Sequence, residues 1–344
     1  LALVITGLLS AQNPPPLDMS RLPESLQPPF FWQVSELLIR ARQDAADDYY
    51  SLKDPSIVEY QEAWHLFGTV RGRKRSHQVE YLRFRSFEQA AQGERTLLTM
   101  HPHFYCAPQI FFFRPHQTWY LICQASDPQW VPNYGPAFAT NQNIADVNGW
   151  SPLRPLQHRK STSNAELDFW VICDSQKAYL FFTSLDGRMW REETRLEDFP
   201  HGWSDPVVAL EADIFEASHT YKVQQSDWYL TLIEAQRSQG GRYYKAYVAD
   251  RLDGTWQPLA TEENRCFAGP NNIRFAGDRW SDWISHGELL RAEYDERLEI
   301  APTSLRFVFQ GVTAAEAEGK VYGQIPWRLG LLTQTTASLS DDER

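Results

Sequence analysis

Asp168-Phe-Trp-Val-Ile…Tyr179-Leu-Phe-Phe182 is the stretch on which the reading of this chain turns. A polar residue opens an apolar run, a short polar turn follows, and an aromatic residue opens a second apolar run. That is a hairpin. The phrase also occurs as Asp54-Pro-Ser-Ile-Val-Glu-Tyr…Trp64-His-Leu-Phe and as Gln109-Ile-Phe-Phe-Phe…Trp119-Tyr-Leu-Ile. A fourth copy is Glu216-Ala-Ser-His-Thr-Tyr-Lys-Val…Trp228-Tyr-Leu-Thr, and a weaker fifth is Asn271-Asn-Ile-Arg-Phe…Trp280-Ser-Asp-Trp. The opening residues lie 55, 59, 48 and 55 positions apart. Another strand and turn fit before each next copy, as Tyr243-Tyr-Lys-Ala-Tyr-Val-Ala does after the fourth. A period near fifty with three or four strands per copy is the signature of propeller blades. Five copies over residues 28–335 predict an all-β, five-bladed β-propeller with an axial pocket. A large β-sandwich is the competing architecture, and the regular period counts against it. Val34-Ser-Glu-Leu-Leu-Ile-Arg-Ala-Arg-Gln43 is the best helical stretch and reads as a lead-in to the first blade.

Working outward, the 344 residues carry 33 Lys and Arg against 44 Asp and Glu, a net charge of −11. With no basic block to override that deficit, neither nucleic acid nor an anionic membrane is an expected partner. The 13 Trp, 15 Tyr and 19 Phe make 14% of the chain, and such flat side chains suit strands and sugar rings alike. Leu1-Ala-Leu-Val-Ile-Thr-Gly-Leu-Leu9 followed by Ser10-Ala-Gln12 resembles a signal-peptide core with its cleavage site, and Asn13-Pro-Pro-Pro16 resembles a linker. Residues 1–27 are therefore read as signal remnant and linker, residues 336–344 as a mobile tail, and the protein as secreted or periplasmic. Cys106, Cys123, Cys173 and Cys266 show no C-x-x-C spacing; buried free thiols and the three possible pairings all stay open. No G-x-S-x-G, H-E-x-x-H, Walker or Rossmann pattern is present, so those chemistries have no support.

The first strand of each propeller blade lines the axis, so the residues opening the copies should share one mouth. They are Asp54, Gln109, Asp168, Glu216 and Asn271, three of them acids. Like charges around one cavity raise at least one pKa, a cost that structure alone avoids. Two carboxyls across a pocket are what glycoside hydrolysis requires. The same ring of oxygens also suits calcium or plain sugar binding. Lys53 is placed to keep Asp54 ionised. His286, in Ile284-Ser-His-Gly-Glu288, is a candidate for the axis, whereas His219 faces away from Glu216 and reads as a structural hydrogen-bonder.

At these residues the chain resembles glycoside hydrolase family 62, the exported α-L-arabinofuranosidases acting on arabinoxylan and arabinan. The resemblance rests on Leu52-Lys-Asp-Pro-Ser56, Ala107-Pro-Gln109, Leu167-Asp-Phe169, Ile214-Phe-Glu-Ala217 with Tyr221-Lys222, Phe267-Ala-Gly269, Ile284-Ser-His-Gly-Glu288 and Pro326-Trp-Arg328 with Gly330 and Leu332. It runs in order from about Phe31 to Thr333. It implies an inverting mechanism with Asp54 as general base, Glu216 as general acid and Asp168 as the acid that tunes pKa. It also implies a structural Ca2+ near His286, and an arabinose pocket lined by Lys53, Gln109 and Tyr322. The expected partner is a plant cell-wall polysaccharide, and the expected state a monomer. One departure is that Ala125, not Trp, follows Gln124; Trp130 in the rebuilt stretch Ser126–Asn133 is its candidate substitute. The rival functions are a family 43-like β-xylosidase or arabinanase, and a sugar-binding propeller without catalysis.

Overall fold

The computed structural model describes residues 17–43, 47–157, 159 and 165–336. The signal-like run, the Pro-rich stretch up to Pro16 and the tail beyond Thr336 lie outside the described residues. Four strands make each of the first three blades. Blade one is Tyr49–Tyr60, Ala63–Gly72, Gln78–Phe84 and Glu94–Leu97. Blade two is Tyr105–Phe113, Thr118–Ser126, Tyr134–Asn141 and Arg154–Pro155. Blade three is Glu166–Cys173, Lys177–Ser184, Arg188–Arg195 and Val207–Glu211. Blade four runs from His219–Val223 through Tyr229–Gln236 and Arg242–Ala249 to Gln257–Glu262. The hairpins expected at Asp54, Gln109, Asp168 and Glu216 are therefore the two inner strands of these four blades. In blade one the inner strands are joined by Gln61 and Glu62, both left-handed (φ 50° and 59°), as a two-residue hairpin turn matched to strand twist requires.

Blade five departs from the expected register. Its inner strand is Ser285–Leu289, paired in turn with Arg306–Gly311 and Arg328–Gln334. The Asn271 phrase is not a hairpin: Ile273–Phe275 forms the outer edge, running parallel to Trp32–Val34. An apolar run with a polar opening looks the same on an outer strand as on an inner one; only the partner distinguishes them. Residues 34–43 are likewise not a helix. Trp32–Val34 is a strand inserted between Arg328–Gln334 and Ile273–Phe275, and Ile39 forms a further bridge with Leu329. The apolar spacing at 34–43 is met by strand pairing because the ring needs a closing strand from the far end of the chain.

The segment 17–27 packs on this closure. Leu22 and Leu26 are buried, and Gln334 Nε2 donates to Ser25 O at 2.7 Å. Much of the aromatic excess lies between blades. Phe111, Phe113, Tyr120, Phe138 and Phe199 form one cluster with centroids 4.5 to 6.3 Å apart. All four cysteines are buried free thiols. Among the described residues no helix is long and apolar enough to cross a membrane.

Trp32 is the keystone of the closing strand: it is 1% exposed, its indole N–H donates to Phe267 O at 2.6 Å, and its ring meets Phe267 at 5.0 Å. Trp32→Ala should cost about 3–5 kcal/mol. Urea denaturation followed by tryptophan fluorescence checks this, and a loss below about 1 kcal/mol would show that closure does not depend on this strand.

Candidate active site

Every inner strand carries one extra residue at the same height. Lys53 faces Thr69 but Ser56 faces Phe67; Cys106 faces Gln124 but Gln109 faces Ile122; Leu167 faces Thr183 but Trp170 faces Phe181. In blade five Ser285 faces Gln310 and Gly287 faces Phe309. In blade four Glu234 N donates to Glu216 O at 2.9 Å while His219 faces Leu232, which gives the same offset. Such bulges re-aim side chains and end regular pairing. The residue at the bulge is left-handed in four blades: Asp54 (φ 50°), Ala107 (50°), Asp168 (56°) and Ala217 (54°). The matching residue in blade five is His286. The axial set is therefore Asp54, Ala107, Asp168, Ala217 and His286, each preceded by Lys53, Cys106, Leu167, Glu216 and Ser285. Asp54 and Asp168 stand where the repeat put them. Glu216 comes one residue before its bulge, Gln109 two after, and Asn271 is not axial.

A chain of side-chain acceptors ties these bulges together. Asp54 N donates to Gln310 Oε1 (2.8 Å), Ala107 N to Thr69 Oγ1 (2.8 Å), Asp168 N to Gln124 Oε1 (3.1 Å) and His286 N to Glu234 Oε2 (2.7 Å). Each acceptor sits on the second strand of the preceding blade. The remaining place belongs to Thr183, whose hydroxyl has no partner; Ala217 N donates instead to Asp168 Oδ2 at 3.0 Å. Asp168 is thereby fixed against the blade that carries Glu216. A second tier lies one step deeper. Ile110 N donates to Ser56 Oγ (3.0 Å), Val171 N to Gln109 Oε1 (2.7 Å) and Ile57 N to Glu288 Oε2 (3.0 Å). The Gln109 amide also donates to Val171 O at 2.6 Å, so both ends of that side chain grip blade three and Gln109 is 1% exposed. In this arrangement Gln109 joins two blades.

The far end of the channel is plugged. Arg291 donates to Ile57 O (2.9 Å) and Ile110 O (2.8 Å), and its Nε lies 2.8 Å from Glu288 Oε1. Phe112 N donates to Tyr294 O and Cys173 N to Glu296 O, at 2.9 and 2.8 Å. The opposite end, where Lys53, Asp54 and His286 meet, is the candidate mouth.

At that mouth Lys53 Nζ is 2.9 Å from Asp54 Oδ2, and His286 Nδ1 is 3.5 Å from Asp54 Oδ1 and 3.8 Å from Asp168 Oδ1. Asp54 and Lys53 are only 1% and 6% exposed. Burial pushes the Asp54 carboxyl up, but Lys53 and His286 more than offset it and hold it below the ordinary range. Burial likewise works against the Lys53 ammonium, which Asp54 holds well above its usual value. Asp168 is raised, by burial first and then by Asp54, with His286 opposing. Glu216 is raised well above the ordinary range by burial, by Glu234 and by Asp168. One carboxyl is set to be ionised and another to be protonated, the split that an acid and a base need at one pH.

Sequence reasoning missed two residues here, of which Glu234 contributes to this split. Glu234 is wholly buried, accepts from Ser285 Oγ (2.6 Å) as well as His286 N, and lies 2.8 Å from Arg242 Nε. An acid interrupting the apolar run Leu230-Thr-Leu-Ile-Glu-Ala235, opposite Glu216 in the hairpin, was the available signal. His77, on the approach to the third strand of blade one, is held neutral with a pKa pushed down to about 3 by burial, Lys53 and Arg71. The expected residues otherwise gather here. The Tyr322 ring lies over Lys53 Nζ, 5.3 Å from its centroid, and is 38% exposed. His219 stays structural: its Nδ1 is 2.7 Å from Gly287 O and its ring stacks on Trp170 at 4.0 Å. Gly287 is required beside His286, because a Cβ there would come 2.3 Å from Val308 O. Trp130 is stacked on His101 at 5.2 Å.

With this geometry in hand, the match of residues 32–333 to the model of glycosyl hydrolase family 62 decides the lineage. The chain belongs to that family. Over 319 residues it is 35% identical to α-L-arabinofuranosidase C of Cellvibrio japonicus, covering 89% of this chain and 47% of the relative. The chain thus spans about half the length of that curated relative. Among solved structures it is similar to the catalytic domain of a Coprinopsis cinerea family 62 α-L-arabinofuranosidase (TM-score 0.83, 33% identity, 90% of this chain and 99% of that one). It is also similar to a Podospora anserina α-L-arabinofuranosidase in complex with cellotriose (TM-score 0.82, 31% identity, 91% and 98%). A thermostable family 43 glycoside hydrolase shares the fold alone (TM-score 0.55, 12% identity, 85% and 91%).

The Lys53–Asp54 pair gives this family 62 chain a testable pH response. Lys53→Met removes the cation that holds Asp54 low, so the Asp54 pKa rises. The acidic limb of the kcat/KM profile should then move to higher pH by about one pH unit or more. An unmoved limb would show that Asp54 ionisation does not depend on Lys53.

Proposed function

We propose that this chain is an inverting α-L-arabinofuranosidase that releases terminal arabinofuranose side groups from arabinoxylan or arabinan. The observation that carries the proposal is the opposed tuning of two carboxyls at one mouth, Asp54 below and Glu216 well above the ordinary range. Family membership supports the glycosidase chemistry. Ionised Asp54 accepts a proton from water as the water oxygen bonds to the anomeric carbon. Glu216 gives its proton to the glycosidic oxygen as the carbon–oxygen bond breaks. Asp54 ends protonated and Glu216 ionised, and exchange with solvent resets both. The carboxylates of Asp54 and Asp168 favour the positive charge that develops on the sugar ring. Tyr322 and Lys53 form one wall of the pocket. The plug at Arg291 and Glu288 supports removal of single terminal residues, since a polysaccharide backbone cannot thread the channel. Export and a monomeric state, expected from the sequence, belong to the same proposal.

The calcium implied by the family resemblance is part of it too. Calcium takes six to eight oxygen ligands. Among the described residues no cluster of three or more His, Cys, Asp or Glu side chains is arranged to hold a metal. An ion beside His286 would therefore take most of its ligands from water, and its role would be structural. Dialysis against EDTA should lower the melting temperature by a few degrees, restored by Ca2+ but not by Na+. An unchanged melting temperature would remove calcium from the proposal.

The acid and base roles are separated by leaving-group chemistry. Glu216→Ala should lose roughly 10²–10⁴-fold on arabinoxylan but far less on aryl arabinofuranosides whose phenolate leaves unprotonated. Asp54→Ala should be slow on both substrates and partly rescued by azide. Early NMR spectra of the product released by the unaltered protein should show the β-anomer. Equal responses of the two variants to leaving-group quality, or retention of the α-anomer, would overturn the assignment. Binding to xylan with no sugar released would favour a non-catalytic propeller.

A further inference from the structure

Near the Lys53–Tyr322 contact runs an open groove of about 940 Å³, lined by Tyr50, Arg71, Arg73, Lys74, Lys320 and Val321 together with the turn at Gly323. Among the described residues four cations and no acidic side chain line it. That composition is the reverse of the whole chain, whose net charge is −11. The groove neighbours the site along the chain. Tyr50 stands three residues before Lys53 on the inner strand, and its hydroxyl donates to Gly323 O at 2.7 Å. Val321 and Gly323 flank Tyr322, whose ring lies over Lys53. Val321 is 67% exposed although apolar, as a surface that a ligand covers would be.

Arg71 is the residue that needs explaining. It lies two positions beyond Thr69 on the second strand of blade one and so shares its face. Its guanidinium is pressed against the 322–324 turn, where a Cβ on residue 323 would lie 2.6 Å from Nη1. Its Nε is buried without a hydrogen-bond partner, as is Nδ1 of His77, the neutral imidazole held down by both Lys53 and Arg71. Of the other cations, Arg73 is paired with Asp48 at 2.5 Å with both partners exposed, Lys74 also has a partner within the chain, and the Lys320 ammonium donates to Glu316 O. Positive charge thus lies at Arg71, outside the Lys53–Asp54 ion pair and the neutral His77, with Lys320 at the rim. Arginine forks suit carboxylates, and a groove of one sign concentrates the opposite charge.

We propose that this groove binds a carboxylate carried by the polysaccharide, a uronic acid side group close to the arabinose being removed. The inference rests on the proposed arabinofuranosidase activity and names its substrate class: an arabinose-bearing chain that is also acid-substituted. The groove engages the polymer; it takes no part in the bond-breaking step.

The test compares neutral arabinoxylan with uronic-acid-substituted arabinoxylan of matched arabinose content. At low salt kcat/KM should be about 3–10-fold higher on the acidic polymer, as expected for two or three exposed charge contacts. The preference should vanish in 0.5 M NaCl and when the carboxyls are reduced to alcohols. Arg71→Gln and, separately, the surface change Lys320→Glu should each lower the acidic-to-neutral ratio. Equal kcat/KM on both polymers, or a preference untouched by salt and by Lys320→Glu, would overturn the proposal. Affinity electrophoresis in gels containing uronic-acid-substituted xylan without arabinose separates this idea from the activity. Salt-sensitive retention with no arabinose released from either polymer would support the groove and sink the glycosidase reading. No retention would overturn the groove whatever the activity. Loss of the preference to millimolar inorganic phosphate at constant ionic strength would assign a free-anion site instead, and so overturn the polymer carboxylate.

Discussion

The inner strand of a propeller blade has hydrogen-bonding neighbours on one side only; its other edge faces the axis and the next blade. Backbone N–H groups left there in a dry interior cost free energy unless something accepts from them. In this protein the acceptors are side chains of the preceding blade: Gln310, Thr69, Gln124 and Glu234 at the level of the bulges, and Ser56, Gln109 and Glu288 one tier deeper. The blades are thereby keyed to one another around the axis, and the height of each bulge is fixed by its neighbour. The residues proposed to do the chemistry are built on that ring.

The ring is interrupted where the Thr183 hydroxyl makes no hydrogen bond and Asp168 accepts from Ala217 in its place. A carboxylate in a structural position is held in one rotamer by a backbone N–H, close to the strand that carries Glu216. The neighbouring place in the ring is filled by another acid, Glu234, anchored by Arg242, Ser285 and His286. Two negative charges thus stand around Glu216 for reasons of blade-to-blade bonding, and both raise its pKa. Asp54, on the far side, has a lysine as its chain neighbour and an imidazole across the axis. Scaffold and reactivity are served here by the same hydrogen bonds.

Closure of the ring sets the other limit. The last blade takes a strand from residues 32–34 and seats Trp32 against Phe267, so the two ends of the propeller hold each other. The plug at Arg291 and Glu288 closes the bottom with a buried ion pair whose remaining donors reach the carbonyls of Ile57 and Ile110. Removing either partner would leave a buried charge alone, typically a loss of about 3–5 kcal/mol.

Repetition made much of this legible in the sequence. Hairpins recurring near fifty residues gave the blades, because an inner strand buried on both faces must be an almost unbroken apolar run. Asp54 and Asp168 were found by register, and Glu216 within one residue, because a polar opening to such a run is rare unless it faces a cavity. Lys53 was visible as a neighbour in the chain, and His219 as a residue on the wrong face for the axis. What the sequence left undecided depends on partners distant in the chain. Residues 34–43 carry apolar spacing that fits a helix, and only the need for a closing strand made 32–34 pair with 328–334. The Asn271 phrase has the right residues for an inner hairpin, yet Ser285–Leu289 took that place. Gln109 has a side chain able to bind sugar or backbone, and the approach of Val171 from another blade settled which. The roles of Glu234 and His77, and the meeting of Arg71 with Gly323, are contacts between strands far apart in sequence. Composition and periodicity fix which face of a strand is buried; which group lies opposite, and hence each pKa and each hydrogen bond at the mouth, is decided only when the blades close.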